Sequence, residues 1–529
     1  MHPTAHDTAA TPPPKATRRE WIGLAVIALP CLVYAMDLTV LNLALPAISA
    51  DLKPSASQML WIIDIYGFLV AGFLITMGTL GDRIGRRKLL LIGAAAFAAA
   101  SVIAAFSRSA EMLVAMRALL GVAGATLAPS TMSLIRNMFH DPHERQFAIG
   151  VWIAAFSVGS AIGPLVGGVM LQFFWWGSAF LVAVPVMVLL LALGPGLLPE
   201  YRDPNAGRID PASVALSLAA VLATIYGFKQ IAEHGFAWTP ALLVLAGVAV
   251  GTAFVRRQSR LAYPLLDMTL FRQPRFSGAI AAYALSCLAM FGVYIFIAQY
   301  LQLVLGLTPL EAGVATVPWS LCFVFGSLYA PRLARRWPPV SILLWGLVVS
   351  AAGFGLLVFA DGRFALAVLV AATVVMSLGM APVITIVNEM IITAAPPERA
   401  GAASAVSETS AEFSGAMGIA IFGSLGGMLY RHGLAGSMPP GVAPEAASAA
   451  HATIGGALAV AQSIGGATGE ALLAAARAAF TDALQFTTLV CGALVLLAAA
   501  LSARILRRDV SGDASGGTSA AAGAASPGA

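Results

Sequence analysis

Residues Gly78–Lys88 read GTLGDRIGRRK, and this stretch decides the fold of the chain. It sets three glycines and one aspartate among basic residues, at the end of a long apolar run. Glycines let two helices approach closely, an aspartate is favoured near the N-terminal end of a helix, and arginines pair with carboxylates. An ordinary positively charged loop explains the arginines but not the other residues at this spacing. The residues that form this pattern are Gly78, Gly81, Asp82, Arg83, Gly85, Arg86 and Arg87.

The composition of the whole chain is typical of a protein that crosses a membrane many times. Of its 529 residues, 59% are hydrophobic and only 10% are charged, and the mean hydropathy is +0.86. A soluble protein has about a quarter of its residues charged. The four cysteines all lie in apolar stretches, so we expect free thiols.

Fourteen apolar stretches are long enough to span a membrane, since a spanning helix needs roughly 20 residues. They are predicted at 21–47, 58–80, 89–107, 111–135, 146–170, 177–198, 212–231, 238–256, 277–302, 311–331, 340–360, 364–393, 401–429 and 485–506. The segment 430–484 is interrupted by glycine, proline and charge, which indicates a long external loop that could hold an amphipathic helical hairpin. The predicted fold class is an all-α polytopic membrane protein.

The basic residues predict the orientation of these spans. With both termini inside, 23 of the 30 lysines and arginines fall on the inner side, six on the outer side, and Arg117 within span 4. An excess of basic residues marks cytoplasmic loops. The net charge of +5 is therefore a topology signal, and a nucleic-acid partner is not needed to explain it.

The chain is predicted to consist of two related halves. GSLYAPRLARRWP (Gly326–Pro338) follows span 10 as GTLGDRIGRRK follows span 2, with Pro331 where the first copy has Asp82. Transporters are commonly built from such repeats. The predicted parts are a disordered tail at 1–20, a six-helix bundle at 21–200, an extra helix pair at 201–260, a second six-helix bundle at 261–506 and a disordered tail at 507–529.

We single out five of the ionisable residues inside the predicted spans: Asp37, Asp64, Arg117, Glu408 and Glu412. An ionised side chain at the bilayer centre costs at least about 2.5–3.5 kcal/mol, so such residues indicate function. One alternative is a static ion pair of Asp37 or Asp64 with Arg117. Four acids against one arginine leave surplus carboxylates, however, and unpaired buried carboxylates can exchange protons. We predict that these residues couple protons and bind a cation.

Several stretches resemble motifs of one transporter family. GTLGDRIGRRK is similar to the inner-loop signature of the major facilitator superfamily, RALLGVAGA (Arg117–Ala125) to its span-4 motif, and GSAIGPLVGG (Gly159–Gly168) to the span-5 motif of its antiporters. With MDLTVLNLALP and WIIDIYGFLVAGF (Trp61–Phe73), they resemble the fourteen-span drug:proton antiporters, which include quaternary-ammonium and methyl-viologen exporters. The resemblance covers essentially the whole chain but is weaker in spans 7 to 12.

The resemblance implies a major facilitator fold with two six-helix bundles plus two extra helices. In it, Asp82 and the basic loop would latch the inner ends of the bundles, with the start of span 13 near Glu398 and Arg399 as partner. The span-5 motif provides a small-residue face for close helix packing and a proline that favours a bend. The residues of this motif are Gly159, Gly163, Pro164, Gly167 and Gly168.

Aromatic residues and methionines near the acids predict a chamber for lipophilic cations, which charge attraction and cation–π contacts would hold. The alternative is that these side chains face lipid or fill helix contacts. The candidates are Tyr34, Trp61, Tyr66, Trp152, Phe156, Met290, Tyr294 and Phe413.

The predicted function is proton-driven export of lipophilic cations across a bacterial inner membrane, with both termini cytoplasmic. The alternatives are a same-fold exporter of a metabolite, siderophore or self-made antibiotic, and a membrane sensor or scaffold that does not transport. No nucleophile–base or metal constellation points to an enzyme, and the proton gradient makes a cofactor unnecessary. The expected partners are small cations, protons and lipids, and we expect a monomer. Whether an accessory envelope partner exists is left open.

Overall fold

A computed structural model describes residues 14–54, 56–202, 209–234, 237–396 and 400–522. Within these ranges the regular secondary structure is entirely helical, and fourteen helices are long and apolar enough to cross a membrane. Both the all-α fold class and the number of spans are confirmed. The physical reason is that lipid offers no hydrogen-bond partners, so an apolar chain satisfies its backbone within helices.

The first bundle contains eight helices that form six spans. In chain order they are α1 (Arg18–Leu52), α2 (Ala56–Ile84), α3 (Arg86–Ala105), α4 (Ala110–Gly124), α5 (Leu127–Met138), α6 (Pro142–Phe173), α7 (Ser178–Leu181) and α8 (Ala183–Leu197). The fourth span is broken between α4 and α5, because Pro129 lacks the N–H that would bond to the carbonyl of Ala125. The tight connection between α2 and α3 defines what we call the motif end of the molecule.

Two accessory helices lie between the bundles in sequence and at their edge in space. They are α9 (Pro211–His234) and α10 (Trp238–Gln258). Helix α9 packs against α2 of the first bundle and against α15 of the second, while α10 packs against α9. At the motif end, Asp210 accepts two hydrogen bonds from the Arg257 guanidinium at 2.7 and 3.1 Å. This pairing holds the pKa of Asp210 well below its usual range.

The second bundle carries the remaining helices. They are α11 (Pro274–Gln299), α12 (Pro309–Ala334), α13 (Pro339–Leu356), α14 (Ala365–Ala394), α15 (Ala400–Ser437), α16 (Pro444–Ala452), α17 (Ile454–Ile464) and α18 (Gly466–Ala522). The two bundles meet where α12 and α14 pack against α6, and where α15 packs against α2 and α5.

The last third of the chain is more helical than predicted. Helix α15 continues to Ser437 and α18 starts at Gly466, so the segment predicted as a loop holds the short hairpin of α16 and α17 and a 19-residue extension of the last span. Alanine and leucine have high helix propensity, although Glu470, Arg477 and Asp482 make this extension too polar for a span by composition. Helix α18 also runs to Ala522, into the predicted tail.

Candidate functional site

Asp37 and Arg117 form an ion pair inside the first bundle. The guanidinium Nη1 lies 2.6 Å from the Asp37 carboxylate, Nε donates to the carbonyl of Ile62 at 3.1 Å, and the group lies 4.6 Å from the ring centre of Tyr66. The Arg117 side chain is 1% exposed. Asp37 therefore forms an ion pair with Arg117, and its part in proton coupling stays a prediction.

Asp64 pairs with a residue that the sequence argument did not count as embedded. Its partner is Lys229 of α9, which the orientation argument placed on the outer side. Lys229 belongs to the apolar span Pro211–Ile231, so the embedded acids face two cations rather than one. The assumption of a single embedded basic residue was wrong, because a lysine near a helix end can extend its charge towards the membrane edge.

Glu408 and Glu412 lie one helical turn apart on α15, and we call them the carboxyl pair. Glu412 accepts a hydrogen bond from the Tyr34 hydroxyl at 3.3 Å. Oε1 of Glu408 is buried and has no hydrogen-bond partner among the described residues. Burial disfavours two uncompensated negative charges, so a proton or a cationic ligand would complete this pair.

The Tyr34–Glu412 contact joins the bundles, because Tyr34 belongs to α1 and Glu412 to α15. Tyr34 is one of four residues, here called the aromatic wall, that were predicted as chamber residues and whose rings meet at tilted or edge-on angles. Its ring centre lies 5.9 Å from that of Tyr66 and 5.6 Å from that of Phe156, which in turn lies 4.5 Å from Trp152. The structure therefore brings these four rings together beside the carboxyl pair.

The other predicted chamber residues lie elsewhere. Trp61 is 41% exposed and stacks on Tyr226 of α9, while Tyr294 is 50% exposed and packs on Trp319. Met290 lines a small cavity within the second bundle. Phe413 is partly buried beside Glu412, and its place in the chamber stays a prediction. The spacing of residues along the sequence does not determine how one helix is rotated relative to its neighbours. For this reason the predicted chamber residues do not all lie at one place.

The inner-loop motif is held mainly by the end of the first bundle. Asp82 pairs with Arg86 one turn later, and the backbone N–H of Arg86 donates to the carbonyl of Tyr201. Glu200 accepts backbone N–H groups of Arg87 and Lys88, both at 3.1 Å.

Glu200 thus provides an anion at the start of α3. The place of Asp82 near the N-terminal end of another helix stays a prediction. Asp82 and Arg83 each make a further contact. The predicted partners Glu398 and Arg399 lie outside the described residues.

Two glycines of the inner-loop motif allow close approach. A Cβ on Gly81 would lie 2.6 Å from the Arg86 guanidinium, and one on Gly85 would lie 2.5 Å from the Glu200 carboxylate. Gly85 also has a φ of 112°, which L side chains rarely adopt. Gly78 is buried at the end of α2.

The span-5 motif lies on α6, which continues through position 164. A Cβ on Gly159 would lie only 2.1 Å from the carbonyl oxygen of Leu32, so α6 and α1 touch backbone to backbone there. Gly163 and Gly167 are buried, whereas a Cβ on Gly168 would have nothing within 4 Å. The motif therefore has one tightly packed end and one open end.

Glu389 of α14 is a functional candidate that the sequence argument missed. Its carboxylate lies 3.6 Å from Arg145 of α6, and Arg136 of α5 donates to the carbonyl of Ile392. Nearby, a Cβ on Gly150 would lie 2.5 Å from the carbonyl of Ser327. These contacts join the bundles at the motif end. The signal was present, since Glu389 is an isolated acid within a predicted span.

No group of three or more metal-ligating side chains occurs in the described ranges. The sequence matches the Major Facilitator Superfamily over residues 27–419. It is 45% identical over 498 residues to the multidrug efflux pump LfrA of Mycolicibacterium smegmatis, an alignment that covers 94% of this chain and 98% of LfrA. It is 33% identical over 486 residues to the methyl viologen resistance protein SmvA of Salmonella typhimurium, covering 91% of this chain and 97% of SmvA.

Among solved structures, the human organic anion transporter MFSD10 (TETRAN) is similar in fold. The TM-score is 0.59 at 16% sequence identity, over 90% of this chain and all of that one. At this identity the likeness concerns the fold alone.

Proposed function

This chain belongs to the Major Facilitator Superfamily and fits drug efflux, and from this premise we propose that it exports lipophilic organic cations in exchange for protons. The superfamily consists of transporters, which are not enzymes. The similarity to a multidrug efflux pump and to a methyl viologen resistance protein supports drug-like cationic substrates.

The carboxyl pair is the observation that carries the proposal. Glu408 and Glu412 lie side by side, partly buried and without a basic partner in the described part of the chain, and they lie where the two bundles meet. Asp37 and Asp64, by contrast, each already hold a cation. The carboxyl pair is thus best suited to exchange a substrate cation for protons.

The aromatic wall provides the other half of the proposed site. Cations are attracted to ring faces by about 0.5–2 kcal/mol, depending on desolvation. Carboxylates on α15 and rings on α1, α2 and α6 approach a ligand from opposite bundles, so a bound cation would bridge them. Protonation of the carboxyl pair removes the charge attraction and releases the cation, because a ligand shifts an equilibrium only by its differential affinity.

The driving force would be the proton gradient, so no cofactor takes part. Inward movement of one proton supplies about 2.3 kcal/mol per 100 mV, plus any pH difference. The distribution of basic residues supports a cytoplasmic motif end with both termini on that side, in a bacterial cytoplasmic membrane. A single chain contains both bundles, which supports a monomer as the transporting unit.

The proposal is tested with purified protein in liposomes under an imposed pH gradient, by following ethidium or dequalinium. We expect wild-type protein to move the dye only while the gradient lasts, and an uncoupler to stop it. Glu408→Gln/Glu412→Gln should abolish coupled movement, since neutral amides can neither release a proton nor attract a cation. Glu445→Gln, at an exposed position of α16, is the matched control.

A second readout separates coupling from transport itself. Substrate binding to detergent-purified wild-type protein should release protons into a weakly buffered solution, and the double variant should release none. If energised wild-type liposomes retain dye as empty ones do, the export function is wrong. If the double variant exports normally, the carboxyl pair is not the coupling site.

A further inference from the structure

The accessory helix α9 brings a lysine into surroundings that suit an organic cation. Lys229 forms an ion pair with Asp64, and its Nζ lies 5.8 Å from the ring centre of Phe68. Trp61 and Tyr226 stack with an interplanar angle of 7°, their ring centres 6.1 Å apart, and Phe68 stands edge-on to both at 6.3 Å. We call Asp64 and these three rings the outer cage.

The outer cage lies near the end of the molecule opposite the motif end. Asp64 is eight residues into α2, or about 12 Å along the helix, and Lys229 is five residues, or about 8 Å, before the end of α9. The carboxyl pair lies deeper, towards the middle of α15. The outer cage is therefore nearer than the carboxyl pair to the end of the molecule at which an exported cation leaves.

A carboxylate paired with an ammonium group, with aromatic rings close by, is the chemistry that recognises organic cations. We propose that the outer cage is a second binding site for exported lipophilic cations, in which Lys229 is a tethered competitor that the cation displaces and that expels it again. This inference rests on the proposed export function. Tyr226, Phe68 and Lys229 have no role in the mechanism above.

The exposure of the groups supports exchange rather than a permanent lock. The Lys229 and Asp64 side chains are 28% and 14% exposed, and Trp61 is 41% exposed. The Arg117 side chain, in contrast, is 1% exposed. The ammonium group of Lys229 is the more exposed partner of the pair, so a cation with its own aromatic contacts can replace it.

The attachment of Lys229 to the same chain favours release of the cation over its rebinding. A group held on the same chain acts at an effective concentration on the order of millimolar, which exceeds that of a dilute substrate outside the cell. Lys229 therefore returns to Asp64 after each release and hinders rebinding. The charge beside Asp64 stays balanced throughout, since one cation replaces another.

The test measures equilibrium binding of tetraphenylphosphonium to full-length protein in lipid nanodiscs. Lys229→Met removes the competitor at similar volume, and we expect a Kd about fivefold lower, the factor that corresponds to a partly exposed ion pair. Lys229→Arg retains the competing charge and should bind like wild type. In an Asp64→Asn background, Lys229→Met should bring no gain, because the site then attracts neither cation.

A structural role for Lys229 predicts another pattern. If the lysine only fastens α9, Lys229→Met should lower the melting temperature and leave the Kd unchanged or higher, and that result overturns the inference. If the Lys229→Met variant does not fold, the binding site is tested instead by the quenching of tryptophan fluorescence when the ligand binds to wild-type protein. Trp61→Phe must then remove part of the quenching, and an unaltered signal overturns the inference.

The same samples separate this inference from the export function. If wild-type protein neither binds nor exports the cation, both fall. If wild-type protein binds and exports it but Lys229→Met has the wild-type Kd, only the tethered competitor is wrong.

Discussion

Arg145 of α6 and Glu389 of α14 form an ion pair 3.6 Å long between the two bundles at the motif end. Both side chains are largely buried, at 16% and 11% exposure. The pair lies beside the Arg136–Ile392 hydrogen bond, so polar contacts hold together a region where the bundles would separate if the cavity opened to this side.

Glu389→Gln should therefore loosen the motif end. Removing one partner of a buried ion pair leaves the other charge uncompensated, which typically costs about 3–5 kcal/mol. The measurement is maleimide labelling of a cysteine at Leu328, which lines the cavity between the bundles, in a background without the four native cysteines. Labelling should become several-fold faster. The exchanged pair Arg145→Glu/Glu389→Arg should restore slow labelling, and equal rates in all three proteins would contradict this role.

Asp37 and Arg117 should contribute unequally to stability. Asp37→Leu leaves a guanidinium that cannot lose its proton, whereas Arg117→Met leaves a carboxyl group that can become neutral. We expect Asp37→Leu to lower the melting temperature more than Arg117→Met. The double variant should recover part of the loss, and equal melting temperatures for the two single variants would refute this asymmetry.

Asp37→Asn separates the fold from transport. The amide oxygen still accepts a hydrogen bond from Arg117, so the protein should fold, but the charge is lost and cation efflux should be abolished. Ethidium efflux from cells with matched expression levels measures this. Unchanged efflux would reduce Asp37 to a structural partner of Arg117.

Gly159 and Gly168 offer a matched comparison within one motif. Gly159→Ala should impair export at least tenfold or prevent folding, because its Cβ would lie 2.1 Å from the Leu32 carbonyl and backbone cannot easily move aside. Gly168→Ala should be nearly neutral, since its Cβ meets nothing within 4 Å. Efflux rates at equal membrane abundance decide the point, and similar effects of the two changes would argue against close α1–α6 packing.

Gly85 should be among the least tolerant positions of the inner loop. Alanine there is strained by the positive φ and would press on Glu200, so Gly85→Ala should reduce the amount of folded protein. Glu200→Gln should cost less, about 0.3–1 kcal/mol, since it removes only an anion at the start of α3. Size-exclusion profiles and melting temperatures measure both. Gly313→Ala, which meets nothing within 4 Å, is the control.

The spans could be predicted from the sequence because the hydropathy of a segment reflects whether water or lipid surrounds it. A helix in lipid must be apolar whatever it packs against, so each span could be placed without knowledge of its neighbours. Helix α18 shows the limit of this rule. Its first turns are less apolar than the rest of the span, but they still contain the alanine and leucine that favour a helix.

The partners of the embedded charges could not be predicted in the same way. Asp64 and Lys229 are far apart in sequence, and only the docking of α9 against α2 joins them. Glu408 and Glu412 are four residues apart, so their common face follows from helical geometry. The contact of Tyr34 with that face depends instead on how two separate bundles meet.

The position of α9 makes the flanks of this transporter unequal. A two-bundle protein exposes two seams to the surrounding lipid, and α9 covers the one between α2 and α15 while its lysine fastens it to the α2 side. Because α9 contacts both α2 and α15, it shields this seam from the lipid. Lipophilic molecules dissolved in the membrane would then enter past the opposite flank, where α6 meets α12.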